Sequence, residues 1–272
     1  MRWNAKNGRV TFPDSTMDYL RFGTGEKNLI MLPGLGDGLR SIYGMALPMA
    51  LMYRMYAKDY TVYMFSRNSH LQPGCTTADM ARHVVQAMDT LGIQTAHFLG
   101  VSMGGMISQH LAADYPERVE KLILVVTAAR PNPVLTDSVT LWMSQAKSGD
   151  HTALMDSNLY RIYSRDYYRK NKWMVPFLGR FTKPKSYDRF LIMAQACLDH
   201  DAYSKLPAIA APTLVMGGGQ DETLGSEAAT EIAAAIPGAK LRVFPQWGHG
   251  LYEEAPEFNK EVLEFLQTGD HS

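Results

Sequence analysis

A single serine stands between glycines in the run GVSMGG, residues 100–105. The hydroxyl of Ser102 can attack a carbonyl carbon when a neighbouring base takes up its proton. The run follows an apolar strand pattern at residues 96–101 and precedes a helical pattern at residues 103–115 that Pro116 ends. A sharp turn from strand to helix would hold the serine in strained backbone geometry and project its hydroxyl from the edge of a sheet. The motif therefore predicts a nucleophile, and a tight Gly-rich turn without chemistry is the alternative.

The base for this serine must come from another part of the chain, and eight histidines are available, at positions 70, 83, 97, 110, 151, 200, 249 and 271. His249 lies in the run WGHG, residues 247–250, which follows the last predicted strand. The carboxyl edge of a parallel sheet is where α/β proteins hold their sites. His83 and His110 fall in predicted helices, and His271 is close to the chain end. We therefore predict that His249 is the base, with an ordinary surface histidine as the alternative.

A carboxylate is needed to orient a neutral imidazole and to stabilise the imidazolium that forms. The predicted strand at residues 213–216 runs into GGGQDE, residues 217–222, a turn that holds two acids. Asp221 is our first choice and Glu222 is the alternative. A solvated helix cap is the interpretation without chemistry for either carboxylate.

These three residues need a sheet whose strand ends converge. Before residue 130, nearly uninterrupted apolar runs typical of strands buried on both faces occur at residues 28–32, 60–65, 96–101 and 121–126. A hairpin is predicted at residues 10–12 and 17–22, and a helix at residues 77–91 with Thr77 as the candidate N-cap. The alternation of strands and helices predicts an α/β fold, with a mostly parallel central sheet flanked by helices.

The alternation stops between residues 131 and 206, where helical patterns rich in aromatic residues replace the buried strands. It resumes with strands at residues 212–216 and 240–244 and helices at residues 226–236 and 256–266. We therefore predict a core formed by residues 1–130 and 207–272, into which a helical cap of residues 131–206 is inserted.

Composition excludes several classes of protein. The 27 Lys and Arg residues balance 27 Asp and Glu residues, so no global field favours nucleic acid or an anionic membrane. The first residues carry no apolar signal core, and the chain has no apolar run of about 18 residues. Cys75 and Cys197, the two cysteines, are predicted to be free thiols. We expect a cytoplasmic protein with a small-molecule acyl substrate and no nucleic-acid or membrane partner, and we leave its oligomeric state open.

The chain resembles the α/β-hydrolase superfamily over nearly its whole length. The resemblance is carried by the GVSMGG run, the acid after the next-to-last strand, the histidine after the last strand, and the helical insertion after the strand that ends near residue 126. The chain order Ser102, Asp221, His249 is also that of the superfamily. The resemblance implies an α/β-hydrolase fold with a helical lid and a Ser-His-Asp triad that needs no metal and no organic cofactor.

The resemblance also implies an oxyanion hole, in which two backbone N–H groups stabilise the tetrahedral intermediate. Met103, at the start of the helix, would supply one N–H group because it has no partner inside the helix. Leu35 would supply the other, from the run PGLGDG at residues 33–38, where relatives typically carry His-Gly. The missing histidine removes a hydrogen-bonding support for this loop. A second departure is SRNSH at residues 66–70, where relatives often show Asp-x-Arg-Gly, and we assign it no role.

A serine at position 102 separates the chain from the haloalkane dehalogenases and epoxide hydrolases of this fold, which use aspartate there. Acyl-enzyme chemistry is therefore favoured. We predict a carboxylesterase-like serine hydrolase that cleaves a small carboxylic ester, thioester or lactone. The alternatives are a hydrolase of carbon-carbon bonds in a diketone-like acid, and a slow-turnover ligand receptor or signalling protein.

Substrate contacts are predicted from the lid and from the strand ends. Arg130, just past a strand, is the candidate anchor for an anionic substrate, and Trp247 lies beside His249. The lid is predicted to supply an apolar wall from Trp142, Met143, Leu154, Met155, Tyr160, Tyr163, Trp173, Phe177 and Met193.

Overall fold

The computed structural model describes residues 2–269, so His271 lies outside the described residues. Eight strands form one sheet: β1 (Lys6–Thr11), β2 (Thr16–Phe22), β3 (Lys27–Leu32), β4 (Tyr60–Asn68), β5 (Ala96–Val101), β6 (Val119–Val125), β7 (Thr213–Gly218) and β8 (Lys240–Phe244). Their spatial order is β1-β2-β4-β3-β5-β6-β7-β8. The pairs β1·β2 and β2·β4 are antiparallel, and all other neighbours are parallel. The mostly parallel sheet and the opening hairpin are as predicted.

Helices cover both faces of the sheet. Successive residues of β3 point to opposite sides, so Ile30 and Leu32 pack in one apolar cluster and Leu29 and Met31 in the other. The first cluster includes residues of α2 (Thr77–Leu91), α3 (Met103–Asp114) and α9 (Ala228–Ala235). The second includes residues of α1 (Ala46–Met52), α10 (Leu251–Glu254) and α11 (Phe258–Gln267). Burial on both faces explains the uninterrupted apolar runs, and β4 is buried at every position.

The N-cap of α2 is Thr76, so the prediction of Thr77 was wrong by one residue. The Thr76 hydroxyl accepts from the Asp79 N–H at 3.1 Å, and the Asp79 carboxylate accepts from the Thr76 N–H at 2.9 Å. This reciprocal capping box requires an acidic or amide side chain three residues after the cap. Thr77 is followed at that spacing by Met80, which cannot accept a hydrogen bond from the backbone, so the cap falls on Thr76.

All the regular secondary structure between β6 and β7 is helical. It contains α4 (Pro133–Lys147), α5 (His151–Ile162), α6 (Arg165–Asn171), α7 (Val175–Phe181) and α8 (Asp188–Leu198), followed by a 3₁₀ helix at Tyr203–Ala208. Helix α8 packs against the 3₁₀ helix Leu35–Gly38, which follows β3. The inserted helices therefore contact the loop that was predicted to stabilise the oxyanion.

Two further sequence features can be compared with the structure. Cys75 and Cys197 are free thiols, as predicted. Among residues 2–269, the helices are all too short or too polar to cross a membrane.

Candidate active site

Ser102 occupies a strained turn between β5 and α3. Its φ of 53° and ψ of −120° lie outside the regions that residues with a side chain usually adopt. The Ser102 N–H donates to the Val125 carbonyl at 2.9 Å, which ties the turn to the neighbouring strand β6. A Cβ atom at Gly104 would overlap the Leu32 carbonyl, so α3 can approach β3 only with glycine there. The strained elbow predicted from GVSMGG is therefore present.

Asp221 and His249 form a buried pair at the ends of the neighbouring strands β7 and β8. The His249 Nδ1 atom lies 2.8 Å from one Asp221 carboxylate oxygen. The other oxygen accepts from the N–H groups of Thr223 at 2.8 Å and Leu224 at 2.9 Å. Both side chains are almost fully buried. The turn after β7 therefore fixes the carboxylate, and the carboxylate fixes the orientation of the imidazole.

Glu222, the alternative acid, points elsewhere. Its carboxylate is exposed and pairs with the Arg165 guanidinium at the start of α6. Asp221 is thus the one of the two acids that contacts His249.

Ser102 and His249 line the same cavity, which has a volume of about 370 Å³. Both residues are described, and no direct hydrogen bond joins their side chains in this structure. Such contacts are often long in the absence of substrate and tighten in the complex. Ser102 and His249 therefore share one cavity, and Asp221 is connected to it through its bond to His249.

The two N–H groups predicted for the oxyanion hole each belong to the first residue of a helix. Leu35 is the first residue of its 3₁₀ helix, and Met103 is the first residue of α3. N–H groups in the first turn of a helix have no partner within the helix. Leu35 lines the cavity, and a Cβ atom at the preceding Gly34 would lie 3.3 Å from the Ser102 Cβ. The loop after β3 therefore passes directly beside the serine.

A buried charge cluster lies behind this loop, and it includes two residues of the SRNSH run, for which no role was predicted. Asp37 accepts from the Arg67 N–H at 2.8 Å, from the Ser66 hydroxyl, and from the Arg189 guanidinium at 2.5 Å. Burial lowers the pKa of Arg67 to about 10, so the guanidinium remains charged near neutral pH. The arginine near the end of the fully buried strand β4 was the available signal, because a buried cation needs a partner.

The cavity wall comes largely from the core of the molecule. It is lined by Met31, Leu32, Pro33, Gly34, Leu35, Gly36, Asp37, Arg40, Ile42, Met49, Met52, Tyr53, Met64, Leu99, Val101, Ser102, Trp142, Asn158, Ile162, His249, Tyr252 and Glu253. The inserted helices contribute Trp142, Asn158 and Ile162. Several of the lid residues that were predicted to form the wall lie elsewhere. Met143, Leu154 and Met193 are buried in the packing between elements, and Trp173 and Phe177 are exposed. Only the Trp142 prediction corresponds to the wall.

Of the four predicted substrate contacts, all within the described residues, only Trp142 lines the cavity. Arg130 pairs with Glu231 at 2.6 Å and lies over the Tyr203 ring. The Tyr163 hydroxyl donates to Glu253 at 2.8 Å. Trp247 lines a separate surface groove with residues of α6. The strand-end position of Arg130 was visible in the sequence, but its partner was not.

Arg40 is the one Lys or Arg among the described residues that line the cavity. It is exposed and makes no side-chain hydrogen bond or ion pair with a residue in the range 2–269. Arg40 is therefore available to a substrate anion.

Some other ionisable groups on the same wall have shifted pKa values. Burial raises the pKa of Tyr252, and it also raises the pKa of Glu253. Within the described chain, no three His, Cys, Asp or Glu side chains cluster as metal ligands would.

The sequence model of the α/β-hydrolase fold family matches residues 27–256 of this chain. The chain belongs to this family. In an alignment of 285 positions, it is 28% identical to a 2-hydroxy-6-oxo-6-phenylhexa-2,4-dienoate hydrolase from Comamonas testosteroni. This alignment covers 97% of this chain and 95% of that protein. A hydrolase of the same description from Burkholderia cepacia is 31% identical over 197 residues, 70% of this chain and 68% of that protein.

Solved structures agree on the architecture. The enol-lactonase from Burkholderia xenovorans LB400 superimposes with a TM-score of 0.81 at 24% identity, over 96% of this chain and 100% of that one. This likeness shows the fold, with the 8-stranded, mostly parallel sheet flanked by helices. The family match and the curated relatives make this chain a hydrolase of the α/β-hydrolase fold.

Proposed function

We propose that this protein is a serine hydrolase that cleaves a small carboxylic ester, thioester or lactone through an acyl-enzyme on Ser102. The observation that carries the proposal is that the strained Ser102 lines the same cavity as His249, whose imidazole is bonded to the buried Asp221. An isolated serine hydroxyl is a weak nucleophile, so a positioned base at the same cavity is the feature that gives it a chemical use.

In the proposed reaction, His249 takes the Ser102 proton as the Ser102 Oγ atom attacks the substrate carbonyl carbon. Asp221 holds the imidazole in the correct tautomer and stabilises the imidazolium. The N–H groups of Leu35 and Met103 donate to the oxyanion of the tetrahedral intermediate. His249 then returns the proton to the leaving group, whose bond to the carbonyl carbon breaks. Water, deprotonated by His249, releases the acid in the second half-reaction.

The cavity wall favours a small, mainly apolar acyl group. Four methionines, at positions 31, 49, 52 and 64, line it together with Trp142 and Ile162. Methionine side chains are flexible and adapt to different apolar shapes. We assign residues 131–206 as a cap over this cavity, through the contacts of Trp142, Asn158 and Ile162.

A fluorophosphonate probe tests the proposal. We expect the intact protein to gain one adduct at Ser102, and Ser102→Ala to lose both the adduct and aryl-ester turnover. Ser148→Ala, on an exposed serine between α4 and α5, is the matched control and should retain both. A wild-type protein that is not labelled would overturn the proposal. Labelling without turnover on any ester, thioester, lactone or diketone acid would instead support the receptor alternative.

Carbon-carbon bond hydrolysis of a diketone-like acid is a second candidate, favoured by two observations. The curated relatives are named for 2-hydroxy-6-oxo dienoates, which are keto acids without an ester bond. Arg40 supplies the cavity with an unpaired cation that could bind a carboxylate. Comparing kcat/KM on diketone acids with kcat/KM on aryl esters of similar size decides between the two. A higher value on the diketone acids would replace our first proposal.

A further inference from the structure

The loop after β3 is held at both ends by the buried charge cluster of Asp37, Ser66, Arg67 and Arg189. The Arg67 guanidinium donates to the Pro33 carbonyl at the start of the loop. The Asp37 carboxylate, at the other end, accepts from the Arg67 N–H and from Arg189. Leu35, whose N–H is the proposed oxyanion donor, lies between these two attachment points. The position of that N–H therefore depends on the cluster.

Arg189 joins the inserted helix α8 to this cluster. Its guanidinium donates to the Asp37 carboxylate and carbonyl, to the Arg67 carbonyl at 3.0 Å, and to the Asn68 carbonyl at 3.1 Å. The Asp37 side chain is completely buried, and only a small part of the Arg189 side chain is exposed. A planar guanidinium can serve this many acceptors at once, whereas an ammonium group is a point charge that cannot.

Backbone packing couples the same two elements. A Cβ atom at Gly38 would lie 2.9 Å from the Phe190 Cα atom and 3.2 Å from the Met193 sulfur. Helix α8 therefore sits directly on the 3₁₀ helix Leu35–Gly38, and neither can move far without the other.

We propose that Arg189 of the lid, acting through Asp37 and Arg67, is a positioning residue that sets the geometry of the oxyanion loop. The proposal rests on the serine-hydrolase function proposed above. The cluster takes the place of the His side chain that this loop lacks, and the lid is a structural part of the catalytic machinery in addition to a wall of the cavity. Displacement of α8 then removes the Leu35 donor from its position and lowers the rate of acyl transfer.

The test compares Arg189→Lys and Arg189→Met with Arg118→Lys. Arg118 is a matched control, because it donates to one carboxylate and two carbonyls, where Arg189 donates to one carboxylate and three carbonyls, and it is similarly shielded. It lies at the opposite edge of the sheet. With kcat normalised to serines titrated by fluorophosphonate, we expect the Arg189 variants to lose roughly 10- to 100-fold in kcat, less than the loss of a whole donor. KM should change much less, and the pH dependence of kcat/KM should be the same as in the wild type. Arg118→Lys should match the wild type.

A second variant keeps the charges and disturbs only the packing. Gly38→Ala should separate the 3₁₀ helix from α8 and lower kcat in the same direction. Hydrogen exchange of the amides at residues 33–40 gives a readout that needs no activity, and it should be faster in Arg189→Lys and Gly38→Ala than in the wild type or Arg118→Lys. Folded Arg189 and Gly38 variants with wild-type kcat and wild-type exchange would overturn the positioning role. Failure of the wild type to react with fluorophosphonate would overturn the proposed serine-hydrolase function instead, and the exchange rates would then decide the positioning role alone.

Discussion

The carboxyl edge of the sheet and the inserted helices meet at the cavity but contribute to it differently. The sheet edge supplies Ser102, Asp221 and His249, each in a turn that directly follows a strand. The inserted helices supply Trp142, Asn158 and Ile162, three side chains spread over two helices. Strand order alone brings the first set together, whereas the second set depends on how helices pack against one another. In this protein topology places the proposed catalytic groups, and packing sets the shape of the pocket.

The largest expected effect tests whether the sheet edge carries the chemistry. Asp221→Asn should lower kcat by about 10⁴-fold, because an amide holds the imidazole in the wrong tautomer. Glu222→Gln, the neighbouring substitution, should leave kcat near the wild-type value, since Glu222 pairs with Arg165 outside the site. Steady-state kinetics on an aryl ester measure both. A large loss in Glu222→Gln with Asp221→Asn unaffected would reverse our assignment.

The second prediction concerns the contribution of the helices to packing. Trp142 is 4% exposed and Trp173 is 65% exposed. Trp142→Ala should lower the free energy of unfolding by about 3–5 kcal/mol, because a large buried side chain leaves a cavity. Trp173→Ala should change it by less than about 0.5 kcal/mol. Urea denaturation gives both values.

Trp142→Phe refines the same comparison. The indole N–H of Trp142 is buried and has no hydrogen-bond partner among residues 2–269. Phenylalanine retains most of the apolar contact and removes this unpaired donor, so we expect a smaller loss of stability than in Trp142→Ala. An equal loss of unfolding free energy in the two variants would show that the unpaired indole N–H does not destabilise the folded protein.

The third prediction asks which arginine serves an anionic substrate. Arg40→Met should raise KM for a diketone acid by about 10- to 100-fold, the range expected for a charge-assisted hydrogen bond worth about 1.5–3 kcal/mol. Arg130→Met should leave this KM unchanged, because Arg130 already pairs with Glu231. Kinetics at two salt concentrations would add a check, as the Arg40 contribution should weaken with ionic strength. Equal KM values in wild type and Arg40→Met would remove Arg40 as an anion site.

The smallest effect concerns the junction between the inserted helices and the core. His200 follows α8, and its Nδ1 atom lies 2.9 Å from the Thr77 hydroxyl of α2. Burial, with the nearby His110 adding to the effect, lowers the pKa of His200 to about 3. Below its unfolded pKa of about 6.5 the unfolded chain binds a proton that the folded chain does not, so stability falls as the pH drops from about 6.5 towards 3.

At pH 5.5 this histidine should lower the free energy of unfolding by roughly 1 kcal/mol relative to pH 7.5 and above. His200→Gln should therefore lose less stability than the wild type over that interval. Thermal unfolding at both pH values measures the difference, with His70→Gln on an exposed ring as the control. An unchanged pH dependence in His200→Gln would mean that His200 is not the group responsible.

Local sequence patterns determined the sheet, the elbow and the two turns that hold the acid and the histidine. An apolar strand followed by GVSMGG and a helix dictates a sharp turn, and the structure contains it at Ser102 with φ of 53°. Asp221 and His249 could be proposed because turns after successive parallel strands lie at one edge of the sheet. The choice of Asp221 over Glu222 as the contact of His249 needed coordinates, since adjacent residues in a turn point in different directions.

Tertiary structure alone decided which side chains form the wall and which charges are occupied. Arg130 and Arg40 are both arginines near strand ends, but only packing brings Glu231 to Arg130 and leaves Arg40 facing the cavity. The contact of Arg189 with Asp37 joins residues 152 positions apart. Such contacts have no local signal, because they arise from the way separate elements close over one another. A sequence pattern thus locates groups whose positions follow from their own strand, and it cannot locate groups whose partners are brought to them by the fold.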